Sequence, residues 1–502
     1  MKILLIQPPL SGNLESITES VVEPLGLAYI AGVLEEEGYS VKILDCHAEG
    51  IDELEYLGNA IYRRGISEEK IKEYLYRLKP DIVGISCMFS AYAYDSLRVA
   101  ELVKECLPDT LIVLGGVGCS ANSEYLLKHS CADVAVIGEG EITFLEIVKN
   151  LEKKYPIKNI LGTAIKLNGK IIKNISRPLI EDLDILPFPA RHLLPMEKYF
   201  EIQKRGKGTY KYYLRNPLSH IITSRGCPFN CSFCAVSTIW GRSYRIRSPE
   251  QVILEIEDLV RNYKIKELAF WDDNISLDKE RFIKLCHLLK KEKLNLTWQT
   301  PNGIAFWNLD PPLLKLMKES GYYRATFAIE SGSSQTLAKY VDKPIDFKKA
   351  KELIRVCNRL GIWTYGVFII GFPDEKLSQI KETAYLIRSL GFDFVAIFIA
   401  QPYVGTRLFN VFQEMGLISD FNYPQGSSMV YSKFNTLYFI PKQLWKIQQK
   451  IYLHFLFYKI LTFFKISSLL YLYKKINNWE KFRYFLRLVG NIIGQRWFGH
   501  RV

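Results

Sequence analysis

Three cysteines stand close together in the run Arg225 to Cys234, RGCPFNCSFC. Cys227, Cys231 and Cys234 have the spacing C-x-x-x-C-x-x-C. Three thiolates on one loop can hold three irons of a 4Fe–4S cluster. The fourth iron is then left without a protein ligand, open to a small molecule that offers an amine and a carboxylate. Structural zinc is the competing reading, and it asks for a fourth ligand nearby. The next cysteine, Cys286, falls in a stretch with helical spacing, which disfavours zinc. Ten cysteines in 502 residues are too sparse for a disulfide scaffold, so the thiols are expected to be reduced and free for metals.

Acidic residues supply the second group of candidates. Asp272 and Asp273 follow the apolar run Leu268 to Trp271. Neighbours at a strand end point to opposite sides, which makes them a poor acid–base dyad. Glu330 follows the apolar run Ala325 to Ile329 and precedes Ser331-Gly332, which places it at a strand's ligand end.

Such residues need a scaffold, and the chain alternates strands and helices twice. In the first half the strands are expected at Lys2–Gln7, Val41–Leu44, Ile82–Ser86, Leu111–Leu114 and Val134–Ile137. A helix over Leu25–Glu37 stops at Gly38. This alternation means a doubly wound parallel sheet, whose ligand sits beyond the carboxyl ends of the strands. The loops at those ends hold Pro8, Pro9, Ser86, Cys87, Gly115, Gly116, Gly138, Glu139 and Gly140. A plain flavodoxin-like domain with tight turns explains them equally well. Residues 159–215 read as a connector, because Asp182 to Ala190 (DLDILPFPA) suits neither a helix nor a central strand. From 216 to 415 six strand–helix units follow, beginning at Ile221–Thr223, and suggest a partial parallel barrel with its site at the strand carboxyl ends. Ser248-Pro249 opens one of the helices as cap and first residue.

RGCPFNCSFC resembles the signature of radical S-adenosylmethionine (SAM) enzymes. Phe270 to Asn274, Ala328 to Gly332, Gly366 to Pro373 and Gln401 to Thr406 are similar to that family's cosubstrate segments. The resemblance implies contacts with SAM from Asp272, Asp273, Glu330, Ser331 and the backbone at Gly371. It also implies reductive SAM cleavage at the cluster, with a 5′-deoxyadenosyl radical that abstracts a substrate hydrogen. Pro24 to Tyr29, Val83 to Ser86, Gly115-Gly116 and Val136 to Glu141 resemble the cobalamin-binding domain joined to one branch of the family. Residues 1–158 are therefore expected to bind cobalamin. Residues 115–120, GGVGCS, depart from the family's G-G-P-H-A-T.

Asp45 to Gly50 (DCHAEG) spells D-x-H-x-x-G, the motif in which a histidine ligates cobalt in several cobalamin enzymes. It follows the second strand, whereas the motif belongs after the first, so His47 reads as a surface-loop histidine. Cys46, Cys87 and Cys119 fall at strand ends, but their spacing forms no compact second cluster motif. Cys106, Cys131, Cys286 and Cys357 read as packing residues on helices.

Charge is concentrated in residues 416–502. From Ile440 to Val502 twelve basic residues face one acid, Glu480, so this segment carries +11 of the chain's +13. Aromatic residues interleave with the lysines. Three readings follow: helices packed on the barrel, a surface for anionic membranes, and RNA binding, which no accompanying motif supports. The N-terminus does not read as a signal peptide, and no stretch reaches the roughly 20 apolar residues of a spanning helix. A cytoplasmic enzyme is expected, with a small-molecule, lipid or tetrapyrrole substrate and an electron donor such as ferredoxin or flavodoxin. Carbon methylation is the leading expectation. Radical cyclisation or rearrangement is the alternative, and methylthiolation, from a different class, needs a second cluster.

Overall fold

The computed structural model describes residues 1–14, 21–89, 92–206, 212–419, 432–463 and 466–497. Two parallel sheets carry the chain. In the first, strands β1 (Lys2–Gln7), β2 (Ser40–Asp45), β3 (Ile82–Ser86), β4 (Leu111–Gly115) and β5 (Val134–Val136) are joined by β6 (Thr163–Leu167) and β7 (Lys170–Lys173). Their order is β7-β6-β5-β4-β3-β1-β2. The five parallel strands are short apolar runs because helices cover both faces. Helix α1 (Leu25–Glu36) buries Leu27, Ala28, Ala31 and Leu34 on one face.

Two features lie outside the expected pattern. Strands β6 and β7 form a hairpin that extends the first sheet antiparallel to β5, within the range read as a connector. Leu10–Asn13, Ile61–Arg64 and Leu54–Gly58 make a small antiparallel sheet beside β1. Ser11 ties this sheet down by donating its backbone N–H (2.8 Å) and hydroxyl (2.5 Å) to buried Asp95.

The second sheet is a six-stranded partial barrel. Its strands β8 (Leu218–Ile221), β9 (Glu267–Phe270), β10 (Thr297–Gln299), β11 (Tyr322–Glu330), β12 (Trp363–Ile370) and β13 (Phe394–Ile399) lie in sequence order. The first ends at Ile221 rather than Thr223, because the Thr223 N–H turns to the Asp272 carboxylate instead of the ladder. Ser248 caps the helix Pro249–Tyr263 through the Gln251 N–H, at 3.3 Å.

Beyond the barrel, helices α2 (Pro441–Phe463), α3 (Ile466–Lys475) and α4 (Trp479–Trp497) pack against it. Gln448 Nε2 donates to the Ile397 carbonyl at 2.7 Å, and buried Lys475 pairs with Asp393 at 2.5 Å. Tyr484 and Leu488 fill a cluster with Tyr323 and Trp363 at the amino ends of the barrel strands.

Candidate active site: a cluster loop between two strand-end faces

The cysteine loop leaves β8 and runs into the gap between the two sheets. Arg225 anchors its start in the other domain. The Arg225 Nη1 donates to Glu139 Oε1 at 2.7 Å, and its Nη2 donates to Glu141 Oε1 at 2.5 Å. Its guanidinium also lies over the rings of Trp240 (4.9 Å) and Tyr29 (5.4 Å). Arg245 reaches the same Glu139, at 2.9 Å. Glu139 is thereby committed to two arginines and to the Ile180 N–H. Its carboxylate braces the domains.

The three thiols lie together beside two charged groups. Burial pushes the Cys234 thiol up to about 12, and the Asp273 carboxylate adds to the rise while the Lys343 ammonium opposes it. Cys227 and Cys231 are raised by burial too, again with Lys343 opposing. Buried thiols held near a cation suit metal-bound thiolates, whose charge the metal compensates. No three His, Cys, Asp or Glu side chains among the described residues are gathered to hold one metal ion.

Lys343 was not visible in sequence. It comes from the loop after the helix Ser334–Tyr340 and ion-pairs with Glu330, both side chains nearly buried. Glu330 itself has φ of 65°, a left-handed conformation for a non-glycine residue at the end of β11. The two aspartates divide as strand geometry expects. Asp272 is buried and accepts from Thr223 Oγ1 (2.7 Å) and Ser224 Oγ (2.5 Å), so it fastens β9 to the start of the cluster loop. Asp273 accepts from the Gly226 N–H at 3.2 Å and stays partly open, and burial pushes its carboxyl up to about 6. Beside it, the buried Asn274 Oδ1 has no hydrogen-bond partner. Ser331 is buried, with its hydroxyl 3.1 Å from that of Thr383 and accepting from the Ser333 N–H.

Gly371 has φ of +80°, and a Cβ there would come within 2.9 Å of Leu444. Its N–H donates to Glu375 Oε2 at 2.6 Å. Glu375 is buried, which pushes its carboxyl up to about 8, and its Oε1 has no partner.

The opposing face belongs to the first sheet. Gly115 ends β4 with open space where a Cβ would stand. Gly116 has φ of +103°, and a Cβ there would lie 2.7 Å from the Cys87 carbonyl. The Gly138 N–H is held by Ser120 Oγ at 3.0 Å, and a Cβ at Gly138 would meet only the Ile239 carbonyl, at 3.8 Å. Met88 and Phe89 remain 37% and 38% exposed after β3. Open glycine backbone beside exposed apolar side chains fits the edge of a large planar cofactor. The other residues expected at this face are packed more tightly. Pro8 and Pro9 are buried, with Pro9 against Gly65, and a Cβ at Gly140 would strike Ile30. Ser86 is buried, and its carbonyl accepts from Ser96. Cys46, Cys87 and Cys119 are fully buried in one hydrophobic cluster, Cys87 against Gly116. His47 is buried, 8% exposed, on the short helix Cys46–Glu49, and is not a surface-loop residue. Cys131 lies outside a helix and is exposed, against the packing role expected for it.

A parallel barrel with a three-thiol loop at its strand ends, faced by a doubly wound sheet, defines a radical enzyme with a second cofactor domain. A family model for the B12 binding domain matches residues 18–148, and one for the radical SAM superfamily matches residues 221–387. An uncharacterized methyltransferase of Pyrococcus horikoshii is 34% identical over 91% of this chain and 92% of its own. The cytidylyl-2-hydroxyethylphosphonate methyltransferase of Streptomyces wedmorensis is 34% identical over 77% of each chain. The solved radical SAM methyltransferase TsrM of Kitasatospora setae, with cobalamin and a 4Fe–4S cluster bound, is 16% identical. It aligns with a TM-score of 0.66 over 82% of this chain and 75% of its own. The chain belongs to the cobalamin-binding radical SAM enzymes, and its cofactors are a 4Fe–4S cluster, SAM and cobalamin.

Proposed function

We propose that this enzyme transfers a methyl group to a carbon atom of a small-molecule, lipid or tetrapyrrole substrate. The observation that carries the reading is 34% identity, over most of both chains, to two proteins named as methyltransferases. When bound, the cluster supplies the electron for SAM cleavage and cobalamin supplies a transferable methyl group. Cys227, Cys231 and Cys234 hold the cluster. Asp273 takes the ammonium of SAM, Glu330 with Lys343 orients its ribose and methionyl end, and the Gly371 backbone receives adenine. The backbone at Gly115, Gly116 and Gly138, with Met88 and Phe89, receives cobalamin. Arg225 holds the cluster loop against that domain.

Anaerobic reconstitution with cluster, cobalamin and SAM tests the reading by counting S-adenosylhomocysteine against 5′-deoxyadenosine for each candidate substrate. Equal amounts support carbon methylation. 5′-Deoxyadenosine alone assigns the enzyme to cyclisation or rearrangement. Replacing any of the three cysteines by Ala abolishes the cluster absorbance and both products.

The setting belongs to the same proposal. A ferredoxin or flavodoxin delivers the electron in the cytoplasm. No helix among the described residues is long and apolar enough to cross a membrane. The exposed apolar face of α2 and α3 makes peripheral contact with an anionic bilayer.

A further inference from the structure

The barrel interior has an unusual floor. Along β11, Ala325, Phe327 and Ile329 pack outward into the core against the helices. Alternation therefore turns Arg324, Thr326, Ala328 and Glu330 inward. On β12 the core residues Phe368 and Ile370 likewise leave Tyr365 and Val367 facing in. Ala328, Tyr365, Val367 and Trp271 are only half-buried, so this interior is open. Glu330 stands at its cofactor end, and Arg324 lies three repeats of the strand pleat deeper.

Arg324 is 8% exposed and has no carboxylate partner among the described residues. Its Nη1 donates to the Tyr212 carbonyl at 3.0 Å, and its Nε donates to nothing. Its guanidinium lies over the Tyr365 ring at 4.6 Å and near that of Tyr212 at 5.9 Å. Aromatic faces soften the burial of a cation but bring no countercharge. Residues 207–211, beside Tyr212 in sequence, contain no acid. Glu267, on β9 and one strand removed from β11, is the carboxylate of this floor. It is occupied by Tyr323 at 2.5 Å, Gln299 at 2.8 Å and the Arg215 N–H at 2.6 Å. Three further polar atoms on the inner strands are buried without partners: Thr326 Oγ1, Gln299 Oε1 and His220 Nε2. Native interiors rarely leave such groups unpaired, and a buried guanidinium without a countercharge is costly.

We infer that Arg324 receives an oxyanion of the substrate, a carboxylate or a phosphoryl group, at the floor of the barrel. The inference rests on the reading of this interior as the substrate chamber and adds that the substrate is an acid. A guanidinium presents paired N–H donors that match either oxyanion. Tyr365 and Trp271 flank the body of the substrate, and Thr326 and Gln299 offer a donor and an acceptor above the anion. A neutral hydrocarbon leaves the Arg324 charge, Thr326 Oγ1 and Gln299 Oε1 unpaired and is disfavoured.

The test is binding without turnover, so it does not depend on which reaction follows. Holoenzyme carrying cluster and cobalamin is saturated with S-adenosylhomocysteine, which fills the cosubstrate's own carboxylate site. Phenylphosphonate, phenylacetate and neutral 2-phenylethanol are then titrated by calorimetry. At least one anion is expected to bind tenfold or more tightly than the alcohol, and the stronger one distinguishes a phosphoryl from a carboxylate substrate. Arg324→Met is expected to erase the preference, and Arg324→Lys to keep part of it. Equal binding of all three probes by the wild type overturns the inference, as does a preference that survives Arg324→Met. If circular dichroism shows that Arg324→Met is misfolded, wild-type crystals soaked with 4-bromophenylphosphonate decide. Bromine anomalous signal inside the barrel with the phosphonate at Arg324 supports the site, and signal elsewhere or none refutes it.

Discussion

Arg225 and Glu139 form a buried ion pair across the two domains, with side chains 5% and 4% exposed and 2.7 Å between Nη1 and Oε1. The pair connects the residue that opens the cluster loop to the loop after β5. Any shift of one domain against the other has to break it. The chain thus uses a buried charge network, completed by Glu141 and Arg245, to set the spacing between its cofactor faces.

Removing one partner of such a pair leaves a charge buried without compensation. Arg225→Met is expected to lower the unfolding free energy by about 3 kcal/mol. Arg225→Lys keeps the charge but loses the second hydrogen bond, and should fall between. Urea denaturation followed by circular dichroism reads both. A loss under about 0.5 kcal/mol, the range of ordinary surface substitutions, removes the brace from the account.

Glu330 faces the cofactor end of the barrel, and its charge is balanced by Lys343. Glu330→Gln should weaken SAM binding by roughly ten- to a hundredfold, the effect of losing a hydrogen bond to a charged group, about 1.5–3 kcal/mol. The cluster absorbance should stay, because the thiols are untouched. Equilibrium binding of SAM to the reconstituted variant reads the change. Unchanged affinity refutes the placement of Glu330 at the cosubstrate.

How much of this was legible in sequence depends on how far apart the partners lie. The cluster ligands sit within eight residues, so their spacing alone carried the chemistry. The parallel strands were legible because burial on both faces makes them continuous apolar runs. Leu10–Asn13 (LSGN) and Leu54–Gly58 (LEYLG) have no such run, and their pairing with Ile61–Arg64 is set by tertiary contacts. Glu139 looked like a ligand because it lies in a glycine-rich strand end, while the arginine that occupies it is 86 residues away. Lys343 stood in an unremarked loop, and only the fold returns it to Glu330.

Glu375 gives the fold a pH dependence whose sign is fixed. Burial raises its carboxyl from 4.5 to about 8 in the folded chain. Between those values the folded state keeps the proton and the unfolded state loses it. Its contribution to stability is therefore complete below pH 4.5 and is lost as pH rises through about 8. The slope approaches about 1.4 kcal/mol per pH unit for one such group. Glu375→Gln, which cannot titrate, should flatten the wild-type decline across that window by up to this amount in thermal or urea melts at successive pH values. Parallel curves for the two proteins refute the assignment.

His47 should be dispensable for cobalamin. It follows β2, the edge strand, which β1 and β3 separate from the open glycines after β4 and β5. Asp45 of the same motif is also occupied structurally, accepting from the Ala48 N–H at 2.9 Å and the Tyr199 hydroxyl at 2.7 Å. His47→Ala should keep its cobalamin content and its cobalt paramagnetic resonance spectrum. A change from a nitrogen-split to an unsplit spectrum in the variant shows that His47 does ligate cobalt.

The C-terminal helices present two faces with different partners. One face of α2 is buried: Leu444 packs on Gly371, and Gln448 bonds to the Ile397 carbonyl. The other exposes Leu453, Phe457 and Leu461, at 56%, 63% and 60%, and α3 continues it with Ile466 and Leu470, at 79% and 58%. Exposed Lys446, Lys450 and Lys474 lie on the same two helices, in a segment with a single acid. An apolar face with cations at its margins matches an anionic bilayer, each cation adding about 1 kcal/mol. Leu453 lies about 13 Å along the helix from Leu444, by the rise per residue. A contact on this face would fall away from the Gly371 loop and leave the site open. The full-length protein should co-sediment with phosphatidylglycerol vesicles at low salt, but not with phosphatidylcholine vesicles, and salt should weaken the binding. Phe457→Glu with Leu461→Glu should abolish it while circular dichroism stays unchanged, because both side chains already face solvent. If the well-folded wild type ignores anionic vesicles and instead sediments as a dimer that the double variant dissociates, a second copy covers this face and the membrane contact is wrong.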